Sequence, residues 1–192
     1  ANDPALRKAI MFLQRDSASP WSLLPWQLNL LPEEHADDGA EECRVGKSWY
    51  YGRGQRKYDT NACRAEAEKH FMQAVEKGNP EAMFWMGVSH WSRCGKDITK
   101  EDYLIIAEWF RRAADLRQAQ AQYELAFFYH AGLGVSKNPE KAAALMMQAV
   151  ANGAGTKAEA FLGWCYEEGY GIEKSIEKAI FLYKKCAGAD EP

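Results

Sequence analysis

The sequence predicts an all-α chain: a right-handed α-solenoid of about four helix-turn-helix repeats behind an N-terminal helical cap. Three observations predict it. First, a stretch repeats. Leu125, Tyr129, Gly132, Gly134, Lys141 and Ala142 reappear 37 residues on, as Leu162, Tyr166, Gly169, Gly171, Lys178 and Ala179. A constant offset through six positions marks a repeat architecture. Second, Ala121, Leu125 and Tyr129 are spaced four apart, which is one face of a helix. Third, each stretch is punctuated at its middle. Gly132 and Gly134 end a first helix, because glycine tolerates the left-handed backbone of a helix terminus. Ser136, Asn138 and Pro139 start a second, with Asn as cap and Pro at the first helical position.

Taken in order, residues 1–38 do not fit the repeat. Asn2-Asp3-Pro4 caps a short amphipathic helix with Leu6, Ile10 and Leu13 on one side. Ser17–Pro20 breaks it, and the apolar run Trp21–Leu31 follows, interrupted by Pro25. Terminal repeats need capping, so this segment is read as a cover for the first unit, with a membrane-surface or partner segment as the alternative. Glu33–Glu42 is an acidic connection. Four units then occupy about 39–78, 79–117, 118–153 and 154–188. Unit one opens with Val45-Gly46, has Trp49 in the Tyr place and carries a Gly52-Arg53-Gly54 turn. Unit two opens with Met86-Gly87 and has His90 in the Tyr place. It lacks Gly-x-Gly, and its region around Cys94–Glu101 reads as about three residues longer. A single helix pair cannot bury its apolar face, so units must stack.

The pattern resembles the Sel-one-like repeat family, a relative of the tetratricopeptide repeats. Its motif, A-x-x-x-L-G-x-x-Y-x-x-G-x-G-V followed by K-A, A-A and a closing Gly, is met in unit three. The matching residues are Ala121, Leu125, Tyr129, Gly132, Gly134, Val135, Lys141, Ala142, Ala149 and Gly153. Ala126 stands in place of the motif's Gly, Asn138 of Asp and Leu145 of Trp. The resemblance covers about four-fifths of the chain. It implies a solenoid with helix A on the concave side and a protein partner.

Composition excludes several classes. At net charge −3 nothing calls for nucleic acid, which needs a basic patch; the one basic cluster, Arg53–Lys57, reads as a solvated loop. No apolar run reaches the 18 residues of a transmembrane helix. The start ANDPALRK lacks an initiator Met, and is read as a mature exported chain, although a segment boundary would read the same.

No catalytic constellation is visible: there is no G-x-S-x-G, H-E-x-x-H or phosphate loop. Gly132-Leu133-Gly134 is a helix stop. The four histidines do not cluster in sequence; His70 and His90 are expected to be packed, and His35 lies in an acidic loop. No metal site and no cofactor is expected. The five cysteines, Cys43, Cys63, Cys94, Cys165 and Cys186, form no C-x-x-C. Cys186 stands at the Ala149 place, so a buried thiol is expected. Folding the last hairpin leaves Cys165 and Cys186 about 12 Å apart, too far to bond. Cys63 and Cys94 fall at the same end of neighbouring units, and a disulfide between them is expected if the chain is exported, with reduced thiols as the cytosolic alternative.

On a helical wheel, positions −2, +2 and +5 from the Leu of Leu-Gly lie opposite the motif face. They hold Tyr50 in unit one, Phe84 and Trp91 in unit two, Tyr123 and Phe127 in unit three, and Trp164 in unit four. Half of the twelve such positions are aromatic, against 12% of the chain. These six are the candidate partner-binding residues, a concave aromatic track, since Tyr and Trp are enriched in interface hot spots; the alternative is that they are core.

The functional expectation is a non-catalytic protein-interaction module, periplasmic or otherwise exported. The resemblance implies a narrower alternative, an immunity protein that neutralises a phospholipase-type toxin of type VI secretion. A cytoplasmic signalling scaffold is another. An enzyme acting on cell-wall or β-lactam substrates is the reading least served by the residues.

Overall fold

The computed structural model describes residues 37–51 and 60–188. The expected N-terminal cap helix, the Trp21–Leu31 run, His35, the Gly52-Arg53-Gly54 turn and the Arg53–Lys57 cluster lie outside them. Among the described residues there are eight helices and no strand. Two compact units divide the chain, Ala1–Ala82 and Met83–Pro192.

The first unit holds α1 (Ala40–Tyr50) and α2 (Thr60–Glu76). They meet through Gly46, where a Cβ would stand 2.7 Å from the ring of Phe71, itself fully buried. Only glycine lets that ring lie on the helix backbone. Buried Asn79 ties the end of the unit together. Its Oδ1 accepts from the backbone N–H of Ala82 and its Nδ2 donates to the carbonyl of Asp38, each at 2.9 Å. Lys47 pairs with Glu81 at 2.7 Å, and Lys77 with Asp37 and Glu42.

The helix α3 (Pro80–Cys94) starts in the first unit and runs into the second. The second unit continues with α4 (Lys100–Asp115), α5 (Ala119–Ala131), α6 (Pro139–Ala151), α7 (Thr156–Glu168) and α8 (Ile176–Cys186). The expected caps are there. Asn138 Oδ1 accepts from Lys141 N at 2.8 Å, with Pro139 first in the helix. Gly132 and Gly169 close α5 and α7 in the left-handed conformation. Helices α4 and α5 pack together, as do α6 and α7, so successive pairs stack. The core of the last two pairs is built from Ala126, Met146, Ala149, Ala158, Leu162, Cys165 and Leu182.

The glycine of Leu-Gly plays the same part here as in α1. A Cβ on Gly87 would stand 2.7 Å from Phe110, and one on Gly163 2.8 Å from Tyr183. The pair that has Ala126 instead of Gly uses Met146 in its core, a flexible side chain that yields to the extra methyl.

One expectation about length is corrected. The interval from the motif Leu place to the second helix's cap is thirteen residues in all three pairs: Met86 to Thr99, Leu125 to Asn138, Leu162 to Ser175. The turn of unit two is therefore not longer. The extra residues lie in α4 itself, 16 residues against 13 in α6. An added turn of helix keeps its backbone bonded, whereas an enlarged loop would have to find new partners.

Candidate functional site

Two side-chain clusters of the second unit concern function: an aromatic cluster and a polar one. Helix α5 places Phe127 outward, 37% exposed, while its neighbour Phe128 is fully buried. Phe127 touches the His130 ring, with centroids 6.1 Å apart. His130 in turn meets Phe161, Trp164 and Tyr170 edge-on at 5.1–5.4 Å. Burial holds the His130 imidazole below its usual pKa, with the nearby Lys137 charge adding to this, so the ring is neutral at physiological pH.

The six residues of the expected track are placed differently from one another. Phe84 is buried, 9% exposed, and stacked on Phe110 at 5.6 Å. Trp91 is half-buried, edge-on to Phe128 at 5.3 Å and to Tyr103 at 6.4 Å. Tyr123 and Trp164 are half-buried against the core of the last two pairs. Tyr50, in the first unit, is half-buried and edge-on to the exposed Tyr51 at 5.5 Å. Phe127 is the most open of the six. Phe161 and Tyr170, which join Trp164, were not singled out by the wheel. The Gly169-x-Gly171 turn brings Tyr170 back to the cluster, and no helical period extends through a turn.

All five cysteines are free thiols. The expected Cys63–Cys94 disulfide is not formed; Cys94 instead hydrogen-bonds to Asp102. Cys186 is not the buried thiol expected from its alignment. It is half-exposed, 3.3 Å from the carbonyl of Thr156, because the face of α8 is open: Ile180 and Phe181 are 49% and 68% exposed.

The polar cluster lies at the turn between α3 and α4. Thr99 and Asp102 form a reciprocal capping box. Asp102 accepts from the Thr99 backbone N–H at 2.9 Å, from its hydroxyl at 2.7 Å and from Cys94, and meets His90 Nε2 at 3.0 Å. Arg93 Nη2 lies 2.9 Å from His90 Nδ1. Since arginine only donates, Nδ1 accepts and Nε2–H donates to Asp102. Burial alone would raise the Asp102 carboxyl pKa, but these donors outweigh it and hold it far below the usual range. Burial, then the bond to Asp102, pushes the Cys94 thiol up to about 11.

This trio is not an activated nucleophile. A catalytic cysteine needs a base on its sulfur and a lowered pKa. Cys94 bonds the acid rather than the imidazole, and is a protonated thiol at neutral pH. His90 was expected to be packed, and it is 4% exposed. Its bond to Asp102 was not expected, because Asp102 lies across a turn.

The Sel1 repeat family model matches residues 80–117, 119–153 and 156–189, more than half of the chain. The chain belongs to the Sel1 repeat family. Its fold class is the all-α repeat solenoid. A Sel1 repeat protein from Oxalobacter formigenes has a crystal structure that is similar at TM-score 0.64 and 29% identity. The likeness covers 80% of this chain and 59% of that one. A protective antigen present in uropathogenic Escherichia coli strains, displaying an SLR fold, is similar at TM-score 0.65 and 24% identity. It covers 97% of this chain and 38% of the antigen. The chain thus spans less than two thirds of either relative's length. The Sel1 match begins at α3, and α1–α2 lies outside it. Among the described residues, no helix is long and apolar enough to cross a membrane.

Proposed function

We propose that this chain is a non-catalytic protein-interaction module, and that within its second unit it docks a protein partner around Phe127 and Trp164. The observation that carries the reading is Phe127: a large aromatic ring open to solvent and backed by the His130–Trp164–Tyr170 cluster. A rigid aromatic platform offers contact area at little entropic cost on binding. Tyr123, on the same helix as Phe127, extends the platform, and Tyr50 belongs to the same proposal in the first unit. Trp91, half-buried like Tyr123, belongs to the same proposal, and Phe84, 9% exposed, would offer a partner only its edge.

The test is capture from the source organism's lysate with the wild type, Phe127→Ala, and Phe181→Ala as an exposed aromatic control on α8. The reading expects a stoichiometric partner that Phe127→Ala loses and Phe181→Ala keeps. Equal capture by all three would overturn it.

The narrower reading is export, with the partner a lipase-type toxin that the chain neutralises. Its support is the resemblance to the Sel-one-like repeat family alone. Inhibition of a captured lipase at equimolar protein would carry it. Capture of signalling proteins with no lipase among them would favour the cytoplasmic scaffold instead.

A further inference from the structure

The three helix pairs of the second unit carry corresponding residues at one place, and one pair differs. In α5–α6, Lys141 lies over the ring of Tyr129 at 5.3 Å. In α7–α8, Lys178 lies over Tyr166 at 5.0 Å. Each lysine follows its tyrosine by twelve residues and is the third residue of its helix. The equivalent pair in α3–α4 is His90 and Asp102, also twelve apart. A cation–π pair has been exchanged as a unit for an imidazole and a carboxylate. The backbone differs too. The cap N–H of Asn138 donates to the Tyr129 carbonyl and that of Ser175 to Tyr166, whereas that of Thr99 donates to the Asp102 carboxylate. Cys94, one helical turn beyond His90 on the same face of α3, brings a thiol to the same spot.

We infer that His90, Cys94 and Asp102 form a binding site for a borderline-soft divalent cation, with zinc the ion they suit. One imidazole, one sulfur and one carboxylate oxygen are zinc's three ligand types. Their ligand atoms all lie within 4.8 Å of one another. A tetrahedral zinc holds such atoms about 3.3–3.8 Å apart, so the 3.0 Å between His90 Nε2 and Asp102 would open slightly and any longer separation close, an adjustment within the reach of side-chain rotation. His90 Nε2 and Cys94 Sγ both face Asp102 through a proton, and a cation would take the place of those two protons.

The charges balance. The Cys94 proton leaves to solvent and the Nε2 proton moves to Nδ1. One thiolate and one carboxylate then neutralise the ion, and the fourth tetrahedral position is left to water. Moving a proton to Nδ1 sets it against Arg93, so Arg93 must turn away. Arginine there works against metal, and Arg93→Gln is expected to bind more tightly.

The test uses Co²⁺ as the spectroscopic probe on the full chain, reduced and stripped of metal by a chelator. The wild type is expected to show a thiolate-to-cobalt charge-transfer band with tetrahedral d–d absorption, displaced by Zn²⁺. Cys94→Ser keeps a hydroxyl donor for Asp102, so it folds, and it is expected to lose the band. Cys63→Ser is expected to keep it. Zn²⁺ is expected to raise the melting temperature of the wild type and not of Cys94→Ser. Absence of the band in the wild type under excess Co²⁺, or its persistence in Cys94→Ser, would overturn the assignment.

Discussion

Gly134 faces the backbone of Tyr103 so closely that a Cβ would overlap its carbonyl group. The same contact recurs one pair later, where Gly171 faces the carbonyl of Pro139. The second glycine of Gly-x-Gly thus serves two purposes: it holds φ near +63° and lets one turn rest on the start of the preceding pair's second helix. Gly153 has a similar φ of +83° but open space around it.

That contrast gives the first prediction. Gly153→Ala bears the left-handed backbone cost of about 1–2 kcal/mol. Gly134→Ala bears that and the displacement of a backbone segment, a further ~1–3 kcal/mol. Urea unfolding of the two variants measures the difference. Equal losses would mean that the contact with Tyr103 relaxes freely.

The second prediction compares the two Leu-Gly glycines. Gly87→Ala presses on Phe110, which is 1% exposed and hemmed by Phe84 and Phe128. Gly163→Ala presses on Tyr183, which is 37% exposed and can swing outward. Gly87→Ala is expected to cost about 1–3 kcal/mol as an overpacked core and Gly163→Ala clearly less, read as a larger fall in melting temperature.

A third concerns Phe127 and Phe128, adjacent on α5. Phe128→Ala empties a fully buried site in the aromatic core and should cost about 3–5 kcal/mol. Phe127→Ala removes an open ring and should change stability by about 0.5 kcal/mol or less. Thermal melts of both are needed to read the capture experiment. A large loss in Phe127→Ala would make that ring structural and remove it from the docking surface.

The fourth follows from Asp102. Its folded pKa lies below the ordinary 3.8. Its carboxylate therefore contributes stability that is fully present above pH 3.8 and is lost as pH falls through the folded value. Cutting it to Asp102→Ala removes the capping box and the partner of His90, about 1–3 kcal/mol at neutral pH. Urea midpoints for the wild type and variant should converge once pH falls below 3.8. A gap that stays constant as the pH falls well below 3.8 would show that the hydrogen bonds around Asp102 do not hold its charge.

Much of the local plan was legible in the residues. Asn138-Pro139 is a cap at the first turn of α6, and Gly132 is a left-handed stop, because φ preferences and unpaired helix-end N–H groups are properties of a few consecutive residues. The wheel was less informative about exposure. Phe84 and Phe127 share the face opposite the motif, yet Phe84 stacks beneath Phe110 and Phe127 reaches solvent. Helices α5, α6 and α7 each pack against both a hairpin partner and a helix of a neighbouring pair, so two of their faces can be apolar.

The sequence by itself determined the repeat, its period, the helix pairs and their caps, because each depends on spacings of four residues or on single backbone angles. Only the tertiary structure decided which aromatic ring meets water, that Cys94 bonds Asp102 rather than Cys63, and that His90, Cys94 and Asp102 converge. Those outcomes depend on how a turn folds α4 back along α3 and on which side chains fill the space first. Distances between residues across a turn are set by packing, and no helical period carries across it.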